Sequence, residues 1–231
     1  MFRVCPIQQI IQGQQSYINQ DPFPSSTRVE PLRCVWLPQY AEAKILLEKY
    51  LEDPDHVHHI AHSPSLPAVL DDIYECLSQQ GQVKPGNIML LLAIFAAATQ
   101  TWVLRDCGRG LFSTCAEANK QSIGWIKAVE DVLDISHRTL SVPIEGIQAI
   151  SIASFVLLNM EGFTRRTKAL FNMALNLSRD LGLHSLDHPS NAQSANSAQT
   201  EIGRRVWWYL VATDWFGSVP EQSYRTNNFL G

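Results

Sequence analysis

The sequence predicts an all-α fold: an irregular bundle of about seven helices in antiparallel pairs, with no sheet. Three observations carry that prediction. Apolar residues recur at helical spacing in one segment after another. Proline and glycine punctuate the intervals between them. Nowhere do four or more residues alternate with enough β-branched content to demand a strand. With 231 residues, 45% of them hydrophobic, the chain can bury the core of one globular domain, and a disordered class is excluded.

Residues 1–38 are rich in Gln, Pro and Ser, with turn formers at Asp21-Pro22-Phe23-Pro24 and Glu30-Pro31. They read as mostly irregular, with a short helix near Ile7–Ile11. The helical domain is expected over 39–215. Ala43, Leu46, Leu47 and Tyr50 set a first helix from Gln39 to Glu52, stopped by Pro54. Pro67 opens a second, through Val69, Leu70, Ile73 and Leu77. The run Ile88 to Val103 reads as a third helix, buried, and Gly108 and Gly110 end it.

A fourth helix is expected from Leu111 to Asp134, with Trp125, Val129, Val132 and Leu133 inward and Glu117, Lys120, Lys127, Glu130 and Asp131 outward. Ser141-Val142-Pro143 starts a fifth, apolar nearly all round to Gly162 and therefore central. The sixth, Thr164 to Leu181, aligns Leu170, Met173, Ala174, Leu177 and Leu181, with Gly182 where a left-handed cap is wanted. Residues 186–200 are low in complexity and read as a mobile loop, after which Thr200 caps the seventh helix. From Phe216 the helical stripe ends, so 216–231 reads as a disordered or unrelated tail.

The seventh helix holds the most informative segment, Glu201 to Trp215. Ile202, Val206, Tyr209, Leu210 and Thr213 form one stripe, while Arg204, Trp208 and Val211 fall opposite. Indoles outside the main stripe predict a helix covered on more than one side. Arg204 and Arg205 suit either an anion- or partner-binding pair or a structural ion pair with Glu201 or Asp180. The structural role is favoured, with partial burial and a loss of stability in Arg205→Ala.

Reactive chemistry finds little support. Cys5, Cys34, Cys76, Cys107 and Cys115 are scattered, with no Cys-x-x-Cys pair, which indicates reduced thiols and no zinc cluster. His56, His58, His59 and His62 invite a metal reading, since His58 and His62 would share a helical face. Pro54 and Pro64 bracket them, however, and no acidic base lies between, so a polar loop is the better account. Asp71 and Asp72 would diverge on a helix and read as surface charges. No nucleophile elbow or phosphate-binding glycine loop is present, and no catalytic, cofactor-binding or metal residue is assigned.

The net charge is −4 and no Lys/Arg run exceeds a pair, so DNA binding by this chain alone is not expected. Met1 to Gln20 lacks the continuous apolar core of a signal peptide. Ile88 to Val103 falls short of the ~20 residues that cross a bilayer, and no membrane association is expected.

Two segments carry a family resemblance. Ala174 to His184 ends on Leu181-Gly182-Leu183-His184, and Glu201, Arg204, Arg205, Trp207, Trp208 and Asp214 follow in fixed spacing. Together they resemble the two signatures of the fungal-specific transcription factor domain, the regulatory region found downstream of a binuclear zinc cluster. Trp125 to Ala128 with Ile147 to Ile150 is similar to that family's central helices, and His62-Ser63-Pro64 to one of its helix connections. The resemblance covers roughly residues 38–215.

It implies an all-helical, nuclear regulatory domain, often one controlling pathway genes such as secondary-metabolite clusters. It also implies protein partners: a second copy or a full-length relative. The family's zinc cluster, and with it any zinc cofactor, is not expected here. Trp215 departs from the Arg that many members carry after the Asp, and the chain reads as a truncated member. On that reading helices covering Trp207 and Trp208 are missing, and poor solubility or self-association is expected. A helical scaffold or small-ligand-binding protein unrelated to transcription is the alternative.

Overall fold

In a computed structural model the described residues are 2–18, 34–139, 142–189 and 197–227. Among them lie nine α-helices: α1 (Ile7–Ile18), α2 (Tyr40–Glu52), α3 (Asp55–His58), α4 (Leu66–Ser78), α5 (Pro85–Gln100), α6 (Cys115–Thr139), α7 (Ile144–Glu161), α8 (Arg165–Asp180) and α9 (Ala198–Asn227). The protein is all-α. α1 extends the short helix expected near Ile7–Ile11, and the added helix is α3, a single turn in the histidine segment.

Two helices make the centre. On α5 every residue from Ile88 to Thr99 is buried, and on α7 burial is nearly as complete from Gly146 to Leu157. A helix apolar on all sides must be enclosed. Accordingly α5 packs against α6, α7 and α2, while α7 also carries α8 and touches α9. α7 is the one helix among the described residues long and apolar enough to cross a membrane, and most of it is buried in this core.

Local sequence fixes several boundaries. α6 starts at Cys115, not Leu111, because Thr114 and Glu117 form a reciprocal cap: Glu117 N donates to Thr114 Oγ1 (3.2 Å) and Ser113 N to Glu117 Oε2 (2.9 Å). Leu111 and Phe112 instead turn into the core. Thr164 caps α8 by accepting from Thr167 N. The cap of α9 is Ser197, whose hydroxyl accepts from Thr200 N at 3.0 Å, so Thr200 lies inside the helix. Ser141 lies outside the described residues.

The amino-terminal segment departs from expectation. β1 (Phe2–Val4) pairs in parallel with β2 (Val35–Leu37), in the register Phe2 to Val35 and Val4 to Leu37. Three-residue strands are too short for alternation to register in the sequence. The all-α reading holds, and these two three-residue strands add only one small ribbon at the edge of a helical molecule. Ile7, Ile10 and Ile11 of α1 are buried beside Val35 and Leu37. Glu42 ties this segment to α2 by accepting from Ile7 N and Gln39 N, both at 2.9 Å. Residues 19–33 lie outside the described residues.

At the other end, α9 continues to Asn227, so the irregular tail expected from Phe216 is helical over its described part. Residues 228–231 lie outside the described residues, as do 190–196 of the expected loop.

One polar cluster sits inside the fold. Lys49 of α2 is fully buried, and its Nζ lies 2.7 Å from Asp106 Oδ2, itself 1% exposed. Asp106 also accepts from Val103 N (3.0 Å) and Arg109 Nε (3.2 Å), and Lys49 bonds Asp53 one turn on. Burial pushes the Asp106 carboxyl up, but Lys49, the Val103 amide and Arg109 together hold it below the ordinary value. The cluster fastens α2 to the 3-10 turn Leu104–Arg109 that follows α5.

Candidate functional site

The two signature segments meet at one junction. α8 ends on Asp180, and Gly182 then adopts φ +72°, a left-handed conformation suited to glycine. Gly182 N donates to Arg179 O (2.9 Å), and Gly182 O accepts from both Ser185 N and Ser185 Oγ at 3.0 Å. This short turn buries Leu183 and leaves Leu181 and His184 exposed. Gly182 thus does what the sequence asks of it. Leu181 does not belong to the buried stripe of α8, because the helix has already ended.

α9 crosses directly over that turn. A Cβ added to Gly203 would stand 2.6 Å from Leu186 Cδ1 and 3.5 Å from Leu183 Cδ2, so the backbone of α9 rests on two leucines of the turn. Val206 and Leu210 continue the contact into the core, both at zero exposure. Trp207 packs partly against the core, with its ring centroid 6.0 Å from that of His184. The stripe read from the sequence is the buried face, with Gly203 added to it.

The arginines are accounted for by acids. Arg204 Nε donates to Asp187 Oδ1 at 2.6 Å and Arg204 Nη1 to Glu201 Oε2 at 3.4 Å. Arg205 Nε donates to Glu201 Oε1 at 3.0 Å. Hydrogen bonds from Arg205 and Arg204 hold the Glu201 carboxyl below its ordinary value. The pair is structural in this sense, but Asp180 is not the partner. Asp187 is, brought to Arg204 from seventeen positions away by the turn between α8 and α9, a contact with no periodic signal in the sequence.

Two expectations are corrected. Arg205 is not buried: its side chain is 51% exposed, since it stands off the Gly203–Val206–Leu210 face. Trp208 is 61% exposed and Trp215 73% exposed, so α9 is covered by the described residues on one side only. Asp214 is exposed as well. The junction therefore gathers Leu183, His184, Glu201, Arg204, Arg205 and Trp207, while Leu181, Trp208 and Asp214 face outward.

The histidine segment separates. His58 is buried, stacked on Tyr50 (centroids 5.9 Å) and edge-on to Phe155 (4.9 Å), and burial depresses its pKa to about 4. His56, His59 and His62 are exposed. Among the described residues no three His, Cys, Asp or Glu side chains gather as a metal-binding group. All five cysteines are free thiols. Desolvation and the neighbouring Cys115 thiol raise Cys107, the opposite of an activated nucleophile. Asp71 accepts from the Tyr40 hydroxyl at 2.7 Å.

In this helical bundle the two signature segments pack and pair with one another across a single turn. Residues 48–219 match the model of the fungal-specific transcription factor domain, and the chain belongs to that family. The match reaches past Trp215, into the stretch expected to resemble nothing in the family.

The probable transcription factor lepB of Aspergillus flavus is 40% identical over 232 residues, covering 96% of this chain and 41% of that protein. Transcription factor TAS2 of Pyricularia oryzae is 30% identical over 184 residues, covering 78% of this chain and 24% of that protein. The agnestins biosynthesis cluster transcription factor AgnL11 of Paecilomyces divaricatus is 25% identical over 187 residues, covering 79% and 27%. The chain thus spans less than half the length of each of these relatives. No solved structure matches.

Proposed function

We propose that this chain is the regulatory, non-DNA-contacting region of a fungal transcription regulator. Its setting is the nucleus, its target a biosynthetic gene cluster, and it acts through protein contacts, a second copy or a longer relative, without enzymatic activity. The observation that carries this reading is the junction of α8 and α9: the two family signatures fold into one packed unit, in a chain 40% identical to a probable transcription factor. A net charge of −4 supports regulation without a grip on the phosphate backbone.

The test is a fusion of the chain to a heterologous DNA-binding domain on a reporter promoter in a fungal host. The reading expects reporter output to move several-fold, up or down, from the level of the DNA-binding domain alone. The unfused chain should leave the mobility of promoter DNA unchanged. A fusion indistinguishable from the bare DNA-binding domain contradicts the reading.

A further inference from the structure

The chain reverses between the 3-10 turn Leu104–Arg109 and the start of α6, and the reversal brings two thiols together. Cys107 lies in the turn, and Cys115 is the first residue of α6. Gly110 closes the turn at φ +80°, its N–H donating to Cys107 O at 3.2 Å. Phe112 then packs edge-on against Trp102, with ring centroids 5.2 Å apart, and the Thr114–Glu117 cap fixes where α6 begins. The Cys115 thiol is thereby set beside Cys107 as a hydrogen-bond neighbour. Both residues are partly exposed, within reach of a small solute.

Cys5 and Cys34 make the contrast. Cys34 precedes Val35, opposite Phe2, while Cys5 follows Val4. They sit at opposite ends of the ribbon, roughly 10 Å apart at the rise of a strand. A disulfide spans no more than about 7 Å between Cα atoms, so that pair cannot close without moving the backbone.

We propose that Cys107 and Cys115 form an oxidation site that a hydroperoxide converts to a disulfide. The Cys115 sulfur attacks one peroxide oxygen and the O–O bond breaks. The second oxygen leaves with the thiol's proton, as an alcohol or, from hydrogen peroxide, as water, and Cys115 becomes a sulfenic acid. The Cys107 sulfur then attacks that of Cys115, the S–O bond breaks, and hydroxide leaves with the Cys107 proton as water. Two thiols give up two electrons, and the O–O bond takes them.

The surroundings set that order. Burial, and then the Cys115 thiol, raise Cys107 above its ordinary range, so Cys115 meets the peroxide first and Cys107 resolves. The Trp102 indole N–H, buried and without another partner, acts on the Cys107 sulfur and steadies the charge that develops there. The bond fastens the turn that carries Asp106 directly to α6. None of this depends on the transcriptional reading.

The test treats the folded, reduced chain with hydrogen peroxide, blocks the remaining thiols with N-ethylmaleimide and digests with trypsin in the absence of reductant. Cleavage at Arg109 separates the two cysteines, so the bond is read as residues 106–109 joined to residues 110–120. That pair is expected as the principal cross-link, lost on adding dithiothreitol, with Cys5, Cys34 and Cys76 outside it. In Cys107→Ser, dimedone should trap Cys115 as its sulfenic acid several-fold more than it traps Cys107 in Cys115→Ser. Absence of the joined pair, or cross-links dominated by the other cysteines, would overturn the site. Equal dimedone labelling in the two variants would overturn the assigned order. A silent reporter fusion alongside an intact cross-link contradicts only the transcriptional reading.

Discussion

Lys49 Nζ and Asp106 Oδ2 stand 2.7 Å apart with both side chains shut off from solvent, joining α2 to the turn after α5. Removing Asp106 leaves the buried Lys49 ammonium with the half-exposed Asp53 as its remaining counter-ion, which costs far more than an exposed pair ever supplies. Asp106→Ala should destabilise the domain by about 3–5 kcal/mol in urea unfolding. A loss below about 1 kcal/mol would mean that Asp53 or water alone suffices to compensate Lys49.

The same cluster sets an acid limit. Folded-state carboxyls held below their ordinary values, as Asp106 and Asp53 are, stabilise the fold fully above the unfolded value. That contribution is lost as pH falls through the depressed ones. Unfolding free energy should therefore decline steeply below about pH 4. A flat profile down to pH 2 would contradict the ion pairing.

His58 adds a second, milder slope. Its folded-state pKa of about 4 lies below the ordinary value, so between about pH 6.5 and 4 the unfolded chain binds a proton that the folded one refuses. Stability should fall on the order of 2–3 kcal/mol across that window. His58→Phe should flatten it, whatever that substitution does to the absolute stability at pH 7.

Arg205 and Gly182 should behave oppositely. The Arg205–Glu201 pair is solvent-exposed, so Arg205→Ala should change stability by no more than about 0.5 kcal/mol. Gly182 sits at φ +72°, and Gly182→Ala should cost about 1 kcal/mol through the backbone alone. Thermal melts of the two variants check both expectations.

Much of this was legible in the sequence because helices announce themselves at a distance of three and four residues. The buried faces of α6 and α9 and the left-handed Gly182 followed from spacing alone. What stayed hidden depends on contacts between segments far apart in the chain. Lys49 reads as one more surface lysine until Asp106, fifty-seven positions on, is known to lie beside it. β1 and β2 are separated by thirty residues and too short to show a period. For Trp208 the sequence argues both ways, since an indole's size favours burial while the truncated reading leaves it uncovered; only the packed structure tells which face of α9 meets other helices, and Trp208 is 61% exposed.

The central claim is that the Glu201–Trp215 signature is scaffolding that packs through one face. Leu210 and Trp208 divide the question, since Leu210 is wholly buried and Trp208 is 61% exposed on the same helix. Their alanine variants, measured side by side in urea, test it most directly. Leu210→Ala should lose about 2–5 kcal/mol, and Trp208→Ala should stay within about 0.5 kcal/mol of the parent. Equal losses in the two variants would contradict the account.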